Sequence, residues 1–523
     1  MPTDLSGDIE GLVADGDLAT ADRRCVESLQ NDPQNHEALY WRGIVRMQAG
    51  QLQEALAYLQ GAIEIAPDVP AYHANRGRCL AQNRQTKQAV QAARRALALD
   101  PGDALTLDTI GVIFSVAGEH AEAVAALERA VQIDPHRAPY WYNLGASRKY
   151  NGDFTGAEDA YRNALRLQPD MDKASAALAH LRRQQPDADQ VDNLRVRLQN
   201  FAGDINDEMR LRYALAKALD DIGDAAGAFT ELDTAAGKWR AAHPYDFSED
   251  AAVFDALLSG IDAAAVSAAT PGYANNEPVF IVGMPRTGTT LTERIVTSHS
   301  TVHAAGELSH FDRLIRQRLK IERKEDFSTD GIRSLLSSDL AQLGRDYIDA
   351  TRPATGHTPH FVDKMPLNFM YAGIMLLALP GAKIICLRRN PMDTCLSNFR
   401  QLFSLRSAYY RYSYDLLDCG RYYQMFDRLM RHWQQLFPDR IYTQHYEHLV
   451  ADQEQQTRAL LEYCELDWED ACLRFEKNAT PVATASSAQV RQPIYTDAAE
   501  RWTRYREQLR PLTEFFATTG ISV

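Results

Sequence analysis

The stretch VFIVGMPRTGTT, residues 279–290, decides how the C-terminal half of the chain is read, and LTERIVTSH, residues 291–299, follows it directly. Val279 to Val282 is a short, apolar, largely β-branched run, the pattern of a strand buried on both faces in a parallel sheet. Gly283, Pro285 and Gly288 then break the run, and a helical pattern begins near Thr290. A glycine-rich turn that opens a helix aims backbone N–H groups and the positive end of the helix dipole at an anion. The expectation is strand, anion-cradling turn, helix.

Gly283 and Gly288 keep the spacing of the phosphate loop G-x-x-x-x-G-K-[ST], but Thr289 stands at the lysine position while Thr290 keeps the hydroxyl. A nucleoside triphosphatase uses that lysine on its β- and γ-phosphates, with Mg²⁺ held by the next hydroxyl. A donor with a single 5′-phosphate bearing sulfate needs less charge and no obligatory metal. Arg286 inside the turn would supply a fixed cation to it. A phosphoryl-transferring kinase is the competing reading, and Thr289 counts against it.

Working outward, KIICL (383–387) reads as a second buried strand ending in Arg388-Arg389, and Asn390-Pro391 starts a helix as cap and first-turn proline. Ser397 follows on that helix; arginine plus hydroxyl suits a terminal phosphate, because the guanidinium binds oxyanions bidentately. Arg388 reads as a surface cation. Phe361-Val362-Asp363 reads as a strand ending in Lys364, where open α/β sheets place ligands. Arg440 to Thr443 reads as another strand, before Tyr446 and Glu447. Glu307 follows a glycine, as a carboxylate that could remove a proton or merely cap a helix.

With these residues in view, the segment 277–505 resembles the sulfotransferases that use 3′-phosphoadenosine 5′-phosphosulfate (PAPS), and especially the tyrosylprotein branch, whose loop reads P-R-S-G-T-T. The resemblance implies that Arg286, Thr287, Gly288, Thr289 and Thr290 hold the 5′-phosphosulfate and that Arg389 and Ser397 grip the 3′-phosphate. It implies Glu307 as general base and Lys364 as the group that stabilises the leaving oxygen. Tyr446 becomes an adenine-side contact, with a core tyrosine as the alternative. SSAQVRQP (486–493) resembles a late segment of the family and puts Ser486 on its catalytic-site serine. Arg501-Trp502 stands where the family has Lys-Trp, so charge is kept and lysine geometry is not. PAPS is the implied co-substrate, adenosine 3′,5′-bisphosphate its product, and no metal is expected. The acceptor is a hydroxyl, in a peptide tyrosine or in a small-molecule, glycan or lipid alcohol. The tyrosines at 409, 410, 412 and 414 suggest helix packing before an aromatic cleft.

The N-terminal part repeats. Prolines fall at 33, 67, 101, 135 and 169, each 34 residues after the last, and Gly43, Gly77, Gly111 and Gly145 keep the step. So do Ala55, Ala89, Ala123 and Ala157, and Ala62, Ala96, Ala130 and Ala164. One helical hairpin per repeat accounts for this: small residues let two helices approach, and proline stops the second. The pattern resembles tetratricopeptide (TPR) repeats, which implies a protein-docking face or, alternatively, a scaffold for the C-terminal domain. A degenerate unit is expected at 209–242, and a break at QQPDADQVDNL (184–194). The expected divisions are 1–171 for the array, 172–260 for a helical extension and 275–515 for the catalytic domain. The fold class is an α-solenoid followed by an α/β, phosphate-loop-like domain with a mainly parallel sheet.

A net charge of −14 argues against a nucleic-acid partner, whose binder is basic. The seven scattered cysteines point to a reducing compartment. The acidic first residues lack a signal-peptide pattern, and no apolar run is long enough for a membrane span. These point to a cytoplasmic protein. An inactive nucleotide-binding domain carried on a TPR scaffold is the non-enzymatic alternative.

Overall fold

The computed structural model describes residues 5–183, 190–405, 407–478, 480, 489–494 and 499–523. Two compact units are present, Met1–Leu181 and Arg182–Val523.

In the first unit, antiparallel helix pairs succeed one another at the period of the repeat: His36–Gln48 with Leu52–Ile65, Pro70–Gln82 with Thr86–Ala98, Ala104–Val116 with His120–Ile133, and Ala138–Asn151 with Phe154–Leu167. Leu5–Ala14 and Leu18–Asn31 precede them, with Ala21 fully buried. The second helix of each pair ends two or three residues before its repeat proline, as expected from a residue that cannot continue an α-helix. All eight column alanines are buried. The glycine column is explained by contact: a Cβ on Gly111 would lie 2.5 Å from Leu127 Cγ. Apolar side chains from successive pairs, among them Leu80, Ile113, Leu127 and Leu144, pack into one core cluster.

The second unit opens with helices. Gln190–Gln199 occupies part of the stretch expected as a break, whose residues 184–189 lie outside the described ones. Ile205–Asp221 and Ala225–Ala242 then form a hairpin turning at Gly223, whose φ is +95°. Ser248–Gly260 leads on toward the sheet.

Five parallel strands make up the sheet: β1 (Pro278–Gly283), β2 (Val302–Ala304), β3 (His360–Asp363), β4 (Lys383–Arg388) and β5 (Ile441–His445), in the order β2-β3-β1-β4-β5. Four of them coincide with the expected strands; the three-residue β2 is too short to carry a readable pattern. Val279 and Ile281 face a core with Ile295, Val296, Leu460 and Leu461, while Phe280 faces Phe311 and Tyr347 on the other side. Both faces are therefore covered by helices, which is why the run is continuously apolar rather than alternating. The chain runs from β1 outward to β2, back through β3, and then past β1 to β4. Such a reversal opens a crevice beyond the carboxyl ends of the central strands.

Candidate active site

Parallel strands bring all their carboxyl ends to one edge. The turn 284–288 follows β1, Glu307 follows β2, Lys364 follows β3, Arg389 follows β4 and Tyr446 follows β5. Five of the expected positions thus reach one rim because they share a place relative to their strands.

Arg286 has φ +67° and Gly288 φ +102°, so the chain turns twice through the left-handed region before the helix Thr289–Val296. Alternation of this kind gathers successive backbone N–H groups into one concavity. Asn398 Nδ2 donates to the Pro285 carbonyl at 2.8 Å, and Arg389 Nη1 donates to the Arg286 carbonyl at 3.1 Å. In planar trans peptides the following N–H groups, those of Arg286 and Thr287, point the opposite way. Thr287 Oγ1 closes the turn by donating to the Met284 carbonyl at 2.7 Å. Gly288 caps the helix without a side chain, and leading N–H groups at such an end suit an anion. A Cβ on Gly288 would lie 2.7 Å from the Tyr446 ring, so glycine is required by space as well as by φ.

Arg389 is buried beside this turn, its guanidinium 4.8 Å above the Tyr446 ring. Glu447 Oε1 accepts the Asn390 N–H at 2.8 Å, tying the ends of β4 and β5 together. Ser397 lies half-buried on the helix Pro391–Phe399, one residue before Asn398, which grips the turn. Arg388 departs from its expected place: it is an interior cation paired with Asp427 at 2.5 Å, not a surface one.

The other side of the rim is built on β3. Ala305 N–H donates to the Val362 carbonyl, Lys364 N–H to the Gly306 carbonyl, and Leu308 N–H to Asp363 Oδ1. These bonds fold the segment 305–308 over the end of β3 and set Glu307 against Lys364. The Lys364 ammonium contacts Glu307 Oε1 and lies 3.8 Å from Glu293 Oε2. Lys364 is 1 % exposed, whereas the Glu307 side chain is 42 % exposed, so the carboxylate opens to the crevice and the lysine approaches it from below. Asp363 is wholly buried; burial pushes its carboxyl up to about 7, against hydrogen bonds from Tyr347 Oη and the Leu308 N–H.

Of the tyrosine run, Tyr412 is core, donating to Asn398 Oδ1 at 2.9 Å. Tyr410 is half-buried and stacks on Phe403 with ring centroids 4.4 Å apart. Burial pushes its hydroxyl up to about 12, with the Glu307 charge adding to the effect.

Ser486 lies outside the described residues. Arg501 contacts Asp220, a fully buried carboxylate of the helix Ile205–Asp221 that also receives Arg400 at 2.5 Å and Tyr505 Oη. Burial pushes the Asp220 carboxyl up, but Arg400 and Arg501 outweigh it and hold it below the ordinary range. Arg501 is therefore engaged in an interior charge cluster in this structure. Asp393, on the same helix as Ser397, accepts the N–H groups of Glu500 and Trp502 and pins that segment.

Glu293, Asp363 and Asp220 were not singled out from sequence. Glu293 alone carried a signal, as an acid beside the buried residues Thr292, Ile295 and Val296 on the helix after the turn. Among the described residues, no group of three or more histidine, cysteine, aspartate or glutamate side chains is arranged to hold a metal ion. None of the helices among them is long and apolar enough to cross a membrane.

Two regions of the chain are similar to known proteins. Residues 278–470 match the sulfotransferase family, and residues 12–79, 46–105 and 138–171 match tetratricopeptide repeats. An uncharacterised protein of Aquifex aeolicus (strain VF5) is 39 % identical over 249 residues, 46 % of this chain and 32 % of that one. The protein-tyrosine sulfotransferase of Drosophila melanogaster is 26 % identical over 43 % of this chain and 46 % of its own length. Protein-tyrosine sulfotransferase A of Caenorhabditis elegans is 23 % identical over 44 % of this chain and 62 % of its own. The matches span less than two thirds of the length of each of these relatives. In this chain, segments that match tetratricopeptide repeats precede a segment that matches the sulfotransferase family.

Proposed function

We propose that this domain transfers a sulfuryl group from PAPS to a hydroxyl acceptor. The observation that carries the reading is the common rim: an anion cradle after β1, a buried arginine after β4, and a paired carboxylate and lysine after β2 and β3. The residues fit a donor with anionic groups at both ends. The cradle has threonine where a triphosphate site has lysine, and Arg389 is held at a loop carbonyl and over a ring.

In this reading Arg286, Thr287, Gly288, Thr289 and Thr290 bind the 5′ end, Arg389 and Ser397 bind the 3′-phosphate, and Tyr446 borders the base. When bound, PAPS supplies a sulfuryl group on a phosphate leaving group. Glu307 takes the acceptor's proton at a carboxylate oxygen. Lys364, with Ser486 as its partner by resemblance, neutralises charge developing on the leaving oxygen. Arg501 would join the 3′-phosphate site only by leaving Asp220 or sharing its charge with it.

A tyrosine in a peptide is the acceptor this reading favours. The names of two relatives support it, as does the stacked Tyr410–Phe403 pair near Glu307, and the TPR array would dock the protein that carries it. Calorimetry tests the donor: adenosine 3′,5′-bisphosphate should bind without Mg²⁺ and more tightly than ATP, and Mg²⁺-dependent preference for ATP would overturn the reading. Glu307→Ala should keep that binding and slow sulfate transfer to a tyrosyl peptide by about 10²- to 10⁴-fold.

A further inference from the structure

We infer that Glu293 is a positioning residue for sulfuryl transfer, a buried counter-charge that keeps the Lys364 ammonium paired and aimed when Glu307 accepts the acceptor's proton. The inference rests on the reading of Glu307 and Lys364 given above. Lys364 is 1 % exposed, so water cannot replace a lost partner. An ammonium left unpaired in the interior is strongly destabilised, or gives up its proton.

The step makes that loss unavoidable with Glu307 alone. As the acceptor oxygen bonds to sulfur, its proton moves to a Glu307 carboxylate oxygen, and the bond from sulfur to the bridging phosphate oxygen breaks with its electron pair left on that oxygen. The carboxylate facing Lys364 is neutralised just when the ammonium must serve the leaving oxygen. Among the described residues, Glu293 Oε2, 3.8 Å from Lys364 Nζ, is the other carboxylate in contact with the ammonium.

The groups around Glu293 fit this role. Lys364 and Asp363 face it from the end of β3, and Glu307 from the segment after β2. Asp363, adjacent in sequence, is held by Tyr347 and the Leu308 N–H. Arg294, next along the helix, turns to the carbonyls of Asn478 and Thr480, so it does not take Glu293 from the lysine. Burial pushes the Glu293 carboxyl up, Lys364 draws it back, and Glu307 pushes it up again.

Glu293→Gln is nearly isosteric and tests this directly. Without the second carboxylate, Lys364 pairs with Glu307 alone. We expect kcat to fall roughly 10- to 100-fold with little change in KM for the donor. Affinity for adenosine 3′,5′-bisphosphate, which carries the leaving phosphate in its product form, should fall about threefold to tenfold by calorimetry. Glu293→Asp should restore part of kcat, and melting curves of both variants should match the parent within a few degrees. A Glu293→Gln enzyme with parental kcat and parental affinity for adenosine 3′,5′-bisphosphate overturns the inference while an inactive Glu307→Ala control leaves the parent reading standing. An active Glu307→Ala variant overturns both.

Discussion

Replacing Arg389 by alanine separates a phosphate-binding arginine from one that only braces the turn, and the structure sets the size of each effect. Arg389 Nη1 holds the Arg286 carbonyl at 3.1 Å, so its loss relaxes the turn for every ligand. A hydrogen bond of that kind is worth about 0.5–1.5 kcal/mol, or roughly 2- to 13-fold in affinity. Losing a charge-assisted pair with a phosphate costs more, about 2–5 kcal/mol when the partner is left without its cation in a buried place. The guanidinium suits that second role: it is buried, stacked 4.8 Å from the Tyr446 ring, and lies 3.9 Å from the Asp393 carboxylate, beyond hydrogen-bond reach. Titration of parent and Arg389→Ala with adenosine 3′,5′-bisphosphate and with adenosine 5′-monophosphate isolates the term. The difference of differences cancels the shared loss of loop bracing. We expect the monophosphate to weaken by about 2- to 13-fold and the bisphosphate by a further 30-fold or more, erasing most of the preference for a 3′-phosphate. Equal weakening of both ligands would refute the assignment and leave Arg389 as a brace.

Gly288→Ala places a Cβ 2.7 Å from the Tyr446 ring at φ +102°, so adenosine 3′,5′-bisphosphate affinity should drop by about tenfold or more while the melting temperature falls by only a few degrees. Unchanged affinity would show that the turn does not hold the ligand. Asp363, raised in the fold to about 7, keeps its proton there while the unfolded chain has lost it, so its contribution to stability declines as pH rises from about 4 to about 7. Asp363→Asn should flatten that part of the stability–pH curve measured by chemical denaturation; an unaltered slope would mean that the carboxyl is ionised in the fold.

The repeat unit was legible because its physics is local. A hairpin of fixed length needs a small residue at the same place in each crossing, so Gly111 and its neighbours in the column announce themselves at a constant step. The strands were legible for a similar reason: VFIV and KIICL are short apolar runs bounded by turn residues, and a parallel sheet covered on both faces tolerates nothing else. Three-residue β2 had no such run, and its place at the sheet edge comes from pairing with β3. Arg388 misled, because two adjacent arginines look alike in sequence while only packing against the helix Leu416–Leu436 gives Arg388 a buried acid, Asp427, as its partner.

By itself the sequence determined the period of the repeats, the order of four of the five strands and the glycine-rich, lysine-free turn, since these follow from backbone sterics and from hydrophobic spacing within a few tens of residues. It also singled out Glu307, Lys364 and Arg389 as candidates, the first after a glycine and the other two at the ends of expected strands. Tertiary structure alone decided that Lys364 stands between two carboxylates, that Arg389 reaches back to the Arg286 carbonyl, and that Asp220 gathers Arg400 and Arg501. These pairings join residues 57 to 281 positions apart, or helices whose mutual packing no local pattern encodes. Charges buried together are chosen by which faces meet, and that depends on the whole sheet closing in one register.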